Sequence, residues 1–183
     1  MNFYMEYYTL KVAGLERQLP VCPLNDKLSI AGFVMLGDYE LTEACARELN
    51  KIIPEHDLLI APEAKAIGLV NDMARLAGEK KHILARKNKK AYMTNPLCVK
   101  VQSITTAGEQ NLWLDGADAE LMRGKKIVIV DDVISTGESL HAVEELVKAA
   151  GGIIVGKAAV LAEGDAAKRD DIFFLEELPL FFN

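Results

Sequence analysis

Between residues 57 and 161 the chain alternates short apolar runs with stretches whose apolar residues recur at helical spacing. The runs are DLLIA at 57–61, HILAR at 82–86, KIVIV at 126–130 and the longer segment 153–161. A run apolar at every position suits a strand buried on both faces. Helical patterns lie at 41–53, at 66–77 and across Leu140, Val143, Leu146, Val147 and Ala150. Asp38 or Thr42 can cap the first helix, Gly78 stops the second and Gly151-Gly152 closes the third. Strand and helix in alternation predict an α/β fold, a parallel-sheet core with helices on both faces. Ligands of such sheets bind beyond the carboxyl ends of the strands, so the residues after each run are the ones to read.

After KIVIV come Asp131 and Asp132, then VISTGES, then the third helix. Gly137 permits a tight turn and close approach of the backbone. The first helical turn offers unpaired N–H groups and a positive dipole end, and Ser135, Thr136 and Ser139 add hydroxyl donors. Together they form a cradle for a phosphate. Ionised carboxylates only accept hydrogen bonds, so the two aspartates suit sugar hydroxyls or the surroundings of a metal rather than phosphate. A helix cap alone leaves the second aspartate unexplained. An anion site beside a diol site points to a phosphorylated sugar.

After DLLIA comes PEAKA, with Glu63, Ala64 and Lys65. Residues 79–90 hold Lys80, Lys81, Arg86, Lys87, Lys89 and Lys90, six of the 21 lysines and arginines of a chain whose formal net charge is −6. Such a cluster at a strand end can hold a second anionic group, such as a pyrophosphate.

The acidic balance of this 183-residue chain argues against a general nucleic-acid or membrane coat. The three cysteines have no C-x-x-C spacing and the three histidines no ligand spacing, so neither a disulfide framework nor a zinc site is expected. No P-loop, dinucleotide or serine-hydrolase signature is present. No apolar stretch reaches the ~18 residues of a membrane span and the start lacks a signal-peptide pattern. A cytoplasmic protein is expected.

IVIVDDVISTGES at 127–139 resembles the 5-phosphoribosyl-1-pyrophosphate (PRPP) signature of the type I phosphoribosyltransferases. PEAKAIG at 62–68 and LARKNKK at 84–90 resemble the pyrophosphate segments of the purine-salvage members, in the same order. The likeness covers roughly residues 38–161. It implies a core over 38–161 and a small hood built from the termini, residues 1–37 and 162–183.

The resemblance also implies roles. Asp131 and Asp132 would hold the ribose hydroxyls. Ser135, Thr136, Gly137, Glu138 and Ser139 would wrap the 5-phosphate. Glu63, Ala64, Lys65, Arg86, Lys87 and Lys90 would serve the pyrophosphate, with a cis peptide often found in the first of these segments. Residues 99–111 would form a flexible loop closing over the site. Mg²⁺ would be held through PRPP, near Asp131 and Asp132, with no direct protein cage. The partners implied are PRPP and a purine base, and the assembly a homodimer, with Phe33 a candidate to stack on the base. Departures from the family pattern are Glu138, where many relatives have glycine, Lys65 in place of an arginine, and the lack of an E-Y-G segment in the loop. The implied activity is purine phosphoribosyl transfer, with adenine preferred. Xanthine or hypoxanthine-guanine transfer, a non-catalytic PRPP sensor, and a phosphoacceptor receiver domain are the alternatives weighed.

Overall fold

In the computed structural model, which describes residues 6–102 and 109–182, five parallel strands run in the order β10-β9-β8-β4-β5. Their ranges are β4 Leu58–Pro62, β5 Ile83–Ala85, β8 Lys126–Ile134, β9 Ile153–Glu163 and β10 Phe173–Leu178. The chain builds outward from β4 to β5 in one direction, then returns to β8 and proceeds through β9 to β10 in the other. The order therefore reverses between β4 and β8, and a crevice opens there at the carboxyl ends of the strands.

Side chains along these strands alternate between two cores. Leu59, Ala61, Val128, Val130, Ala158 and Val160 join one cluster with Leu41, Cys45 and Leu49 of α1 (Tyr39–Ile52) and with Leu69, Val70 and Met73 of α2 (Ile67–Ala77). Ile60, Ile83, Ile127, Ile129 and Ala159 face the other way. They pack with Met122 of α3 (Gly116–Met122) and with Val143, Leu146 and Val147 of α4 (Glu138–Ala149). Both faces are thus covered, which is why the strands carry apolar residues at every position. Fully burying one such Leu or Ile contributes about 1.5–3 kcal/mol.

Four further strands form an antiparallel sheet in the order β1-β2-β3-β11, drawn from both ends of the described chain: Tyr7–Val12, Leu15–Asn25, Leu28–Ala31 and Leu180–Phe182. Its Leu10, Val12, Leu19 and Ala31 enter the same core as α1 and α2. Arg17 of β2 fastens it to the start of α1. The guanidinium donates from Nε to Asp38 Oδ2 at 2.7 Å, and from Nη2 to Asp38 Oδ1 at 3.1 Å and Glu40 Oε2 at 2.7 Å. Asp38 is also the N-cap of α1, accepting the Leu41 N–H at 3.1 Å. Thr42, the other capping candidate, instead donates its hydroxyl to the Asp38 carbonyl at 2.7 Å.

Two boundaries differ from the sequence expectation. The strand expected to end at Val130 continues to Ile134, because β9 is long enough to pair with it throughout, Asp131 opposite Ala159 and Ile134 opposite Ala162. The segment 97–114 is an antiparallel hairpin, β6 (Leu97–Gln102) and β7 (Glu109–Leu114). Both ends of the loop that the resemblance implies at 99–111 are therefore strand, with Lys100 opposite Asn111, as the extended character of 97–104 and 110–114 in the sequence suggests. Its middle, residues 103–108, lies outside the described residues. The short helix α3 has no counterpart in the sequence reading; seven residues give too little periodicity to be seen.

Candidate active site

The reversal between β4 and β8 brings two segments together. From β4 the backbone leaves as Pro62-Glu63-Ala64-Lys65, with a cis peptide bond between Glu63 and Ala64. From β8 come Asp131, Asp132 and Val133. They line one cleft together with Lys87 and Ser139, and with Leu112 of β7 as an apolar wall.

At its floor Asp132 is 4% exposed. Lys65 Nζ lies 3.2 Å from Asp132 Oδ2, an ion pair by distance, although the angles leave that buried oxygen without a formed hydrogen bond. The Lys65 side chain is itself 57% exposed and reaches in from the rim. Asp131 Oδ1 accepts the Asp132 backbone N–H at 2.8 Å. Burial first, and the adjacent Asp132 charge second, raise the Asp131 carboxyl well above the usual carboxylate range, with Lys65 pulling weakly the other way. Two adjacent acids, one unsatisfied oxygen and one exposed ammonium make a floor ready for hydroxyl donors or a cation.

A second, smaller hollow adjoins the first through Asp131, Val133 and Ser139. Ser135, Thr136 and Gly137 complete it. Gly137 has φ +83°, the left-handed region that favours glycine, and its carbonyl accepts the His141 N–H at 2.8 Å to start α4. The Glu138 N–H donates to Thr136 Oγ1 at 3.5 Å. The hydroxyls of Ser135, Thr136 and Ser139 belong to exposed residues at the mouth of this turn. The two hollows share Asp131, with a donor-rich turn on one side and Asp132 and the lysines on the other.

The sequence profile of the phosphoribosyl transferase domain matches residues 38–179. The chain belongs to this family. Among curated proteins it is 37% identical over 114 residues to HGPRTase-like protein 3 of Haloterrigena turkmenica, covering 62% of this chain and 57% of that protein. It is 34% identical over 125 residues to an adenine phosphoribosyltransferase of Kosmotoga olearia, covering 67% and 69%. Among solved structures, an adenine phosphoribosyltransferase of Rhodothermus marinus superposes with a TM-score of 0.66 at 19% identity, over 94% of each chain, which establishes likeness of fold.

Within this phosphoribosyl transferase domain, the cleft gathers Glu63, Ala64, Lys65, Lys87, Asp131, Asp132 and Ser139, and the adjoining turn holds Ser135, Thr136 and Gly137. Other residues singled out in the sequence stand elsewhere. The Arg86 side chain is turned inward, its Nε 3.3 Å from Glu63 Oε2, and it lines a separate hollow with Tyr92, Met93 and Asp118. Its backbone bridges to Trp113 of β7. Glu63 also accepts the Lys87 N–H at 3.2 Å, and its own N–H donates to the Ala85 carbonyl at 2.9 Å. Its carboxylate therefore ties the two loops together; as an anion it has no attraction for a pyrophosphate. Lys90 lines neither cleft, and its backbone N–H contacts Met93 Sδ at 3.4 Å. Phe33 is 5% exposed within the core shared by α1 and the terminal sheet, and offers no open ring face. Its neighbours Val34 and Leu36 are the exposed apolar side chains of that segment. Leu112 and Val133 were missed in the sequence because their apolar character reads as core.

Proposed function

We propose that this protein transfers the 5-phosphoribosyl group of PRPP to a purine base, adenine preferred, with release of pyrophosphate. The observation that carries the reading is the acid pair Asp131-Asp132 between a phosphate-type turn and the Lys65 and Lys87 rim. In the reaction the bond from ribose C1 to the pyrophosphate oxygen breaks, and pyrophosphate leaves with the electron pair. A base nitrogen bonds to C1 and gives up its proton.

Asp131 and Asp132 accept hydrogen bonds from the ring hydroxyls, and the negative charge carried by the pair favours the cation developing at C1. Lys65 and Lys87 favour the anion leaving from the opposite side. Ser135, Thr136, Ser139 and the N–H groups of the turn take the 5-phosphate. The exposed Lys65 ammonium, paired with Asp132 Oδ2 in the cleft, can exchange that acid for an incoming pyrophosphate.

Mg²⁺ fits the donor set. A buried carboxylate oxygen without a hydrogen bond faces the cleft, yet among the described residues no group of three or more side chains builds a cation cage. Asp131 and Asp132 would lie beside such an ion, which would supply positive charge to the leaving group.

Adenine preference draws on the adenine-enzyme relative, and the HGPRTase-like relative favours hypoxanthine or guanine as the second reading. The deciding experiment supplies PRPP and Mg²⁺ with adenine, hypoxanthine, guanine, xanthine, uracil or orotate and follows pyrophosphate release. Fastest release with adenine is expected. PRPP binding with no release for any base would replace the enzyme with a sensor. Changing Asp131→Asn together with Asp132→Asn is expected to abolish release while leaving the fold intact.

A further inference from the structure

The phosphate-type turn Ser135–Ser139 contains no lysine or arginine of its own, and Glu138 adds a negative charge to it. A cation nevertheless borders it at Gly137, just outside the residues that line the hollow. β9 pairs with β8 as far as Ile134 opposite Ala162, so the 3-10 turn Gly164–Lys168 that follows β9 emerges beside this loop. Arg169 comes directly after. The position that a Cβ would take on Gly137 lies 3.0 Å from Arg169 Nη1.

The guanidinium is oriented there by a chain of ion pairs. Its Nε and Nη2 donate to the two oxygens of Asp171, each at 2.8 Å. Asp171 Oδ2 also pairs with Lys157, and Lys157 Nζ lies 2.9 Å from Glu144 Oε1. Glu144 belongs to α4, the helix that the phosphate-type turn opens. The Arg169 and Lys157 pairs hold the Asp171 carboxyl well below the usual carboxylate range. The fork is thus spent on Asp171, and the remaining nitrogen, Nη1, which makes no hydrogen bond among the described residues, is the one turned to Gly137.

We infer that Arg169 is a further ligand of the 5-phosphate, held over Gly137 by Asp171 as a positioning residue. It supplies a cation that the turn's own residues lack. A third of the Arg169 side chain is exposed, so it can be approached by a ligand. A merely structural Arg169–Asp171 pair at this exposure would be indifferent to the ligand. The inference rests on the reading of the cleft as a phosphoribosyl site.

The test uses ligands for each end of the cleft. Ribose 5-phosphate engages the turn, and pyrophosphate with Mg²⁺ engages the lysine rim. Isothermal titration of Arg169→Gln should show ribose 5-phosphate weakened about tenfold or more, with pyrophosphate unchanged. Arg169→Lys, which keeps the charge and loses the fork, should fall between, and serves equally if Arg169→Gln does not fold. Asp171→Asn should weaken ribose 5-phosphate while leaving pyrophosphate alone. Unchanged ribose 5-phosphate affinity in the arginine variants, or equal losses for both ligands, overturns the inference. Failure of the unaltered protein to bind ribose 5-phosphate or PRPP instead overturns the reading of the whole cleft.

Discussion

Lys65 and Asp132 meet across the crevice between β4 and β8, Nζ to Oδ2 at 3.2 Å, and this one pair joins the two segments that the strand-order reversal brings side by side. Its members are unequal. Asp132 is buried and Lys65 mostly exposed, so the lysine is the part that moves. Lys65→Met should lower turnover on the order of a hundredfold, with Lys65→Arg retaining part of it. Steady-state rates against PRPP concentration check this; undiminished turnover in Lys65→Met removes the lysine from the chemistry.

The acid pair sets a stability cost on the alkaline side. Asp131 holds its proton above the pH at which an unfolded aspartate, with a pKa of about 4, has released it. Between those two values the folded state binds more protons than the unfolded state, so stability falls as pH rises. Thermal melts of the ligand-free protein from about pH 5 to about pH 9 should show Tm declining, and Asp131→Asn should flatten that decline. A Tm that rises over this range in the unaltered protein contradicts the assignment.

At the acid end the sign reverses. Arg17 lowers the Asp38 carboxyl, helped by the Leu41 N–H. That contribution is present above the usual carboxylate range and is lost as pH falls through the lowered value. Arg17→Met should cost about 1–3 kcal/mol at neutral pH and blunt acid unfolding. Urea titrations at neutral and acid pH measure both effects; equal losses at the two would separate Arg17 from Asp38.

Glu63 ties Arg86 to Lys87. Glu63→Gln should cost about 1–3 kcal/mol, because the partly buried Arg86 keeps its charge and loses its counter-ion. Pyrophosphate with Mg²⁺ should then bind more weakly, since the lysine rim is no longer positioned. If titration shows tighter binding, the carboxylate was opposing the ligand rather than ordering the loop.

Much of this was legible in the sequence where one local pattern decided the outcome. DLLIA and KIVIV read as buried strands because both faces of β4 and β8 are covered. Asp131, Asp132 and Lys65 stood out because charges directly after buried strands have few structural uses. What was hidden depends on partners distant in the chain. Nothing local to LFF at 180–182 specifies pairing with β3. Glu63 and Arg86 read as two separate pyrophosphate groups until their separation of 3.3 Å is known. Arg169 sits in a segment whose residues were read only as hood, and its relation to Gly137 follows from the length of β9.

The pairing of β11 with β3 has its own consequence for handling the protein. A chain shortened before Leu180 would leave β3 with a bare row of amide and carbonyl groups, open to the same segment of another molecule. Loss of that small strand would therefore surface first as turbidity and self-association, well before the cleft between β4 and β8 is touched.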